Sequence, residues 1–238
     1  ASVHSNGKIA IRLAEGDVLG WVKVTYGDSH VIIVTEGGQC IRFEEEQVRV
    51  MGRISMGINA IKLYEGDQIA GVDTIEPEEF DSTELLIVTA KGYGKRTPVS
   101  EFHTQNRYGR GVINLNRRRM EKTGRIVGAR VVHAHEEDLT LITVNGVALR
   151  TDVNSISIYN RVASGVRLMD LAPDDEVASI ALIESPETRR KKARKKSASG
   201  NGQGSPEEKA MLEENLDAFG EEMGEVYDDD EEDAAEAE

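Results

Sequence analysis

"VIIVTEGGQCIRF", residues 31–43, decides the fold because it returns twice. "LLIVTAKGYGKRT" follows at 85–97 and "LTLITVNGVALRT" at 139–151, a spacing of 54 residues both times. In that register Thr35, Thr89 and Thr143 superpose, as do Gly38, Gly92 and Gly146, and Arg42, Arg96 and Arg150. The match continues through Arg53, Arg107 and Arg161 and then Gly57, Gly111 and Gly165. A fixed period of this length marks a repeat architecture. A partial copy precedes the three, since "LAEGDVLGWV" (13–22) matches "LYEGDQIAGV" (63–72). The chain therefore reads as opening in the second half of a repeat.

Each repeat is expected to contribute four short strands, in the first full copy at about 30–35, 39–43, 58–63 and 68–75. They are rich in Val, Ile and Leu and bounded by Gly, Asp and Asn. The first two strands join through "EGG", "KG" or "NG", the chemistry of a tight hairpin turn with positive φ. Four strands per repeat of about 50 residues predict an all-β, propeller-like stack of blades rather than a plain sandwich, which needs no sequence period. Residues 1–25 read as the end of a truncated blade and 26–183 as three blades. Residues 184–204 hold a basic block, "RRKKARKK" (189–196), and a flexible linker. Residues 205–238 read as an acidic tail in which a short helix is expected to start at Ser205-Pro206-Glu207.

Composition narrows the function. Hydrophobic residues make up 39% of the 238 and aromatics 5%, so the core is aliphatic. No apolar run is long enough to span a membrane, and the N-terminus lacks the pattern of a signal peptide. Cys40 is the single cysteine, which excludes an internal disulfide and fits a reducing, cytoplasmic compartment. The net charge of −14 divides unevenly: residues 1–183 carry 21 Lys and Arg against 25 Asp and Glu, while 184–238 carry 8 against 18. The body is thus nearly neutral, and the tail is acidic enough to compete with an anionic partner for basic surface.

Within that body, Arg107 to Arg130 hold eight Lys or Arg and one acid. Two arginine sets also recur with the period, Arg42/Arg96/Arg150 and Arg53/Arg107/Arg161. One reading pairs each with an acid inside the fold. The reading favoured by the two periodic sets, by Lys95 beside Arg96 and by "NRRR" (116–119) is an arc of positive charge along a DNA backbone. Candidate DNA contacts are Arg42, Arg53, Lys95, Arg96, Arg107, Arg110, Arg117, Arg118, Arg119, Arg150 and Arg161. Gly109 and Gly111 offer backbone N–H groups that could approach a phosphate. Such contacts carry little sequence information. Catalysis has little support: "HAH" (133–135) lacks further ligands at metal-binding spacing, and "GYGKRT" (92–97) lacks the spacing of a phosphate loop.

With these residues in place, the chain closely resembles the family of DNA gyrase A C-terminal domains. The resemblance lies in "IRFEEEQVRVMGR" (41–53), "GYGKRTPVSEF" (92–102), "RTDVNSISIYNR" (150–161) and the "EGD" turns, and covers residues 1 to about 183. It implies a β-pinwheel, a propeller relative whose blades exchange strands and whose rim wraps duplex DNA. It further implies a part in the A2B2 heterotetramer of DNA gyrase, formed with the gyrase B protein, which uses ATP and Mg to introduce negative supercoils. The family's catalytic tyrosine lies upstream of this region, so the fragment itself is expected to be non-catalytic and to bind no cofactor. The family's hallmark box, "QRRGGKG", would precede Ala1. "QNRYGRG" (105–111) matches it at Gln105, Arg107, Gly109 and Gly111, with Arg110 in place of Lys, and departs at Asn106 and Tyr108. The alternatives are the equivalent domain of topoisomerase IV, an enzyme that decatenates, and a propeller-like protein-interaction module.

Overall fold

The computed structural model describes residues 7–133, 137–185 and 188. The basic block, linker, tail helix and acidic tail expected from the sequence lie outside the described residues. Among those described, eleven strands form three antiparallel sheets, all within the unit spanning residues 1–189. The strands are β1 (His30–Thr35), β2 (Gln39–Glu44), β3 (Ile69–Ile75), β4 (Glu84–Thr89), β5 (Tyr93–Pro98), β6 (Val112–Ile113), β7 (Ile126–Val132), β8 (Glu137–Thr143), β9 (Ala148–Asp152), β10 (Val166–Arg167) and β11 (Val177–Glu184).

Each repeat begins with a hairpin, and the periodic threonine and glycine explain its shape. The N–H of Gly38 donates to the Thr35 carbonyl at 3.0 Å, that of Gly92 to Thr89 at 3.0 Å and that of Gly146 to Thr143 at 3.1 Å. The threonine hydroxyl then accepts the next N–H, from Gln39, Tyr93 and Val147, at 3.1 to 3.2 Å. The glycines sit at φ 80°, 75° and 85°, the left-handed region that the turn requires.

The sheets stack face to face. Successive side chains of a strand point to opposite faces, so β4 serves two cores. Leu85 and Ile87 pack with Ile32 and Val34 of the first sheet, and Leu86 and Val88 with Leu139 and Leu141 of the third. Burial on both faces is why these strands read as unbroken apolar runs.

One edge strand of each of the first two sheets comes from the following repeat. The orders are β3-β1-β2-β6 and β10-β5-β4-β7, where β6 belongs to the second repeat and β10 to the third. Among the described residues the third sheet has three strands, β11-β8-β9. This corrects the expected third strand at 58–63. That segment forms no ladder; instead Lys62 N–H donates to the Gly109 carbonyl (2.9 Å) and Tyr108 N–H to the Ala60 carbonyl (2.6 Å), so it lies along the following repeat. The periodic Gly111 and Gly165 sit just before β6 and β10, at φ 72° and 77°. A Cβ there would collide with the carbonyls of Cys40 and Gly94, themselves 54 residues apart. Gly111 is therefore required by a crossing of two backbones, which is why it recurs.

Cations fasten the repeats together. The Arg107 guanidinium donates to the carbonyls of Gln47 (3.1 Å) and Asn59 (2.9 Å), and its N–H to the Gln47 side chain (2.8 Å). The third repeat does the same: Arg161 donates to the Ile113 carbonyl (3.1 Å) and its N–H to Glu101 (2.9 Å). Lys95, fully buried, donates to the carbonyls of Asn160 (2.8 Å) and Arg161 (2.7 Å). Burial pulls its ammonium down to about 7, although Glu101 favours the charged form.

This burial has a consequence for stability. Between about pH 7 and the ordinary lysine value of 10.5, the unfolded chain holds a proton at Lys95 that the folded chain has released, so stability rises with pH across that window. In Lys95→Met this contribution should vanish, so the gap in urea midpoint between wild type and variant should shift towards wild type as pH rises through the window. The comparison cancels the opposing titration of Cys40, whose thiol burial raises in both proteins. A pH-independent gap would contradict the assignment. Backbone strain gives a second expectation. Tyr108 sits at φ 64° and is half exposed, where the hallmark box of the resembling family carries Gly. Tyr108→Gly should stabilise the chain by about 1 kcal/mol in chemical unfolding, because left-handed backbone costs a non-glycine residue about that much.

Candidate nucleic-acid interface

The eleven candidate cations fall into distinct environments. Arg42, Arg96 and Arg150 occupy equivalent places on β2, β5 and β9, and their surroundings follow the residue 12 positions earlier. Arg96, 5% exposed, donates to the carbonyls of Ile156 (2.7 Å) and Asn154 (3.0 Å) and pairs with Glu84 at 3.3 Å. Arg150, more exposed, pairs with Asp138 at 2.8 Å. In the first repeat the equivalent residue is His30, so no acid meets Arg42 there. Arg42, 9% exposed, lies over the Phe80 ring at 4.9 Å and donates to the Thr104 hydroxyl at 3.4 Å. Burial lowers its pKa, and burial with the charge of Arg42 lowers that of His30.

The structure therefore does not present Arg42, Lys95 and Arg96 to a polymer outside the fold; carbonyls, a carboxylate and an aromatic ring hold them inside it. Arg107 and Arg161 are half-buried and tied to the preceding repeat as described above. Arg53 is exposed in the turn at 52–55, where Ser55 N–H donates to the Gly52 carbonyl at 3.0 Å.

The non-periodic cations are placed differently. After β6, Leu115 anchors the chain in the core. The Asn116 side chain then accepts the Arg118 N–H (3.1 Å) and starts a 3-10 turn, Arg117–Arg119, that leads into a short helix, α1 (Met120–Thr123). This segment is fixed at both ends. Arg117 Nε donates to the Gly37 carbonyl (3.3 Å) in the first hairpin turn. Lys91, in the second, donates through Nζ to the Glu121 carbonyl (2.7 Å) and through its N–H to the Thr123 carbonyl (3.1 Å). Arg117, Arg118 and Arg119 are exposed between the two turns, and Arg110 is exposed nearby. Among the described residues none of these four is in an ion pair, whereas Arg125 pairs with Glu36 at 3.7 Å.

Two tyrosines, Tyr64 exposed and Tyr93 half-buried, join these cations. Arg110 and Arg117 both lie against the Tyr64 ring, with guanidinium carbons 4.4 and 4.9 Å from its centroid. Lys122 and Arg167 lie against Tyr93 at 5.8 and 5.6 Å, and Arg167 also pairs with Asp170 at 2.8 Å. Hydrogen bonding by Arg110, with its charge and that of Arg117, lowers the Tyr64 phenol pKa; Arg167 does the same to Tyr93. Sequence reasoning does not single out Tyr64, Tyr93, Lys122 or Arg167. Tyr93 and Arg167 are not periodic: Gln39 stands at the place of Tyr93 in the first repeat and Ile113 at that of Arg167.

Among the described residues no group of three or more His, Cys, Asp or Glu could hold a metal ion, and no helix is long and apolar enough to cross a membrane.

Residues 29–76, 83–133 and 137–184 each match the family described as DNA gyrase C-terminal domain, beta-propeller. The chain is 42% identical over 181 residues to the A subunit of DNA gyrase from Staphylococcus epidermidis, covering 76% of this chain and 20% of that protein. It is 40% identical over 182 residues to the A subunit of DNA gyrase from Staphylococcus aureus, with the same coverage. The chain thus spans about a fifth of the length of these relatives. Among solved structures, a DNA gyrase A C-terminal domain superposes with a TM-score of 0.66 at 28% identity, over 75% of this chain and 58% of that one. The C-terminal domain of a DNA topoisomerase IV superposes with a TM-score of 0.71 at 24% identity, over 81% and 58%, a likeness of fold alone. With each of its three sheet-forming repeats matched in turn, the chain belongs to the family of DNA gyrase C-terminal domains.

Proposed function

We propose that this chain binds duplex DNA through its phosphate backbone and, as part of a DNA gyrase A protein, bends DNA around its blades to support ATP-dependent negative supercoiling. The observation that carries this reading is the Arg117–Arg119 turn, fixed between two hairpins with its guanidiniums exposed and out of any ion pair among the described residues. A turn whose backbone is held at both ends presents its cations from fixed positions, and cations that meet phosphates displace condensed counterions from DNA. Arg53, Arg110, Arg117, Arg118 and Arg119 are the phosphate contacts of this reading, joined by Lys122 and Arg167. Arg107, Arg161, Lys95 and Arg96 act inside the protein, holding the repeats that carry the contacts. Arg42 packs on Phe80, and Arg150 faces DNA only if its pair with Asp138 opens.

Contacts of this type position a duplex without reading its bases, so binding is weakly sequence-specific, with preference arising from how readily DNA bends. In the assembled enzyme the partners of this reading are the gyrase B protein and the remainder of the gyrase A protein, in an A2B2 arrangement. On this reading ATP and Mg serve the assembled enzyme.

Duplex binding measured against salt tests the proposal. Replacing Arg118 and Arg119 together by Ala should lower the magnitude of the slope of log K against log[salt] by about 2, as expected for two lost phosphate contacts. The unfolding midpoint should stay within about 0.5 kcal/mol of wild type, since both side chains are exposed. An unchanged slope would exclude this turn from the interface.

A further inference from the structure

We propose that Tyr64 is a positioning residue that gathers Arg110 and Arg117, from separate parts of the second repeat, into one two-guanidinium site for a backbone phosphate. The proposal rests on the duplex-binding reading above and specifies one of its contact points.

The two arginines reach the ring along independent routes. Arg110 follows Tyr108 and Gly109, whose main chains bond to Ala60 and Lys62 just before Tyr64. Arg117 arrives from beyond β6, tied by Nε to the Gly37 carbonyl. Tyr64 itself precedes the Glu65-Gly66-Asp67 turn. The Asp67 N–H bonds the Tyr64 carbonyl (3.1 Å), and the Asp67 carboxylate accepts the N–H of Gly37 (2.8 Å). One turn therefore fixes the tyrosine to the hairpin that also fixes Arg117. Neither neighbouring acid is in an ion pair with the two arginines among the described residues, and Asp67 Oδ1 accepts from the Gly37 and Gln68 N–H groups.

Gathering two guanidiniums against one ring has an electrostatic consequence. Like charges at short range repel, and the π face compensates only in part. An anion between them relieves the repulsion, and a phosphodiester offers two non-bridging oxygens that two guanidiniums can share. Each guanidinium also keeps N–H donors beyond those used in the fold, since its planar fork carries five. The aromatic face limits the rotamers of both side chains, so less freedom is lost on binding than by two unsupported arginines. A phosphate contact built this way depends on a residue that carries no charge.

That dependence separates this site from generic basic surface. Tyr64→Leu removes the ring and leaves every charge, and should weaken binding of a mixed-sequence duplex by about fivefold at fixed salt, the scale of two exposed cation–π contacts. Tyr64→Phe keeps the face and should stay within about twofold of wild type, because the ring organises the pair. In a chain that already carries Arg110→Ala and Arg117→Ala, adding Tyr64→Leu should produce no further loss, because coupled residues are not additive. A further loss of the full fivefold in that background would overturn the proposal, as would wild-type affinity in Tyr64→Leu. The Tyr64 phenol gives a readout in unmutated protein. Its titration, followed by NMR of labelled tyrosine, should move upward when duplex is added, as phosphate takes up the arginine charge; an unmoved titration would count against the site. If wild-type chain bound no duplex at any salt, the duplex reading would fall and the site with it. Normal wild-type binding without coupling to Tyr64 would overturn the site alone.

Discussion

Each of the first two sheets is completed by a strand that the next repeat lays across it, and the crossing leaves no room for a side chain. Gly111 passes against the Cys40 carbonyl and Gly165 against that of Gly94. Because β6 and β10 are only two residues long, ladder hydrogen bonds alone cannot hold the exchange. Side chains add to them. Arg107 and Arg161 make matching pairs of contacts to the preceding repeat, and Lys95 adds two bonds to the carbonyls of Asn160 and Arg161. A sheet edge is an unpaired row of donors and acceptors; here the following repeat covers it, and the repeats become one body.

This constraint sorts the positive charge into two kinds. Cations that recur with the 54-residue period are largely consumed within the fold: Arg96 and Arg150 by carboxylates on the adjacent strand, Arg107 and Arg161 by carbonyls across a repeat boundary. Cations that break the period, Arg110 and Arg117 to Arg119, stand outside, with Arg110 and Arg117 against the exposed Tyr64 ring. The repeat supplies the scaffold, and on the proposed reading its departures, with Arg53, supply the DNA contacts. The proposed DNA contacts are therefore concentrated in the second repeat rather than spread evenly over the blades.

Much of the architecture is legible in the sequence. The hairpins follow from Thr and Gly recurring together, since a left-handed turn residue and a hydroxyl cap leave distinct marks. The segment at 58–63 reads as a ladder strand because its apolar spacing matches one; in the fold its hydrogen bonds go to Tyr108 and Gly109, some 47 to 48 residues away. The pairing of Arg96 and Arg150 is also visible, as acids at 84 and 138, but His30 breaks the series in the first repeat and hides it. Tyr64 leaves no mark, because only the folded chain brings Arg110 and Arg117 to one ring.

The claim that Arg96, Arg107 and Arg161 hold the repeats, while the exposed arginines outside those bonds are the proposed DNA contacts, is tested most directly by Arg161→Ala, measured for both stability and duplex binding. Removing a half-buried guanidinium that bridges two repeats should cost roughly 0.5–1.5 kcal/mol in denaturant unfolding, the net worth of one hydrogen bond. Duplex affinity per folded molecule and its salt slope should stay close to wild type. Unchanged stability together with a reduced salt slope would contradict the account.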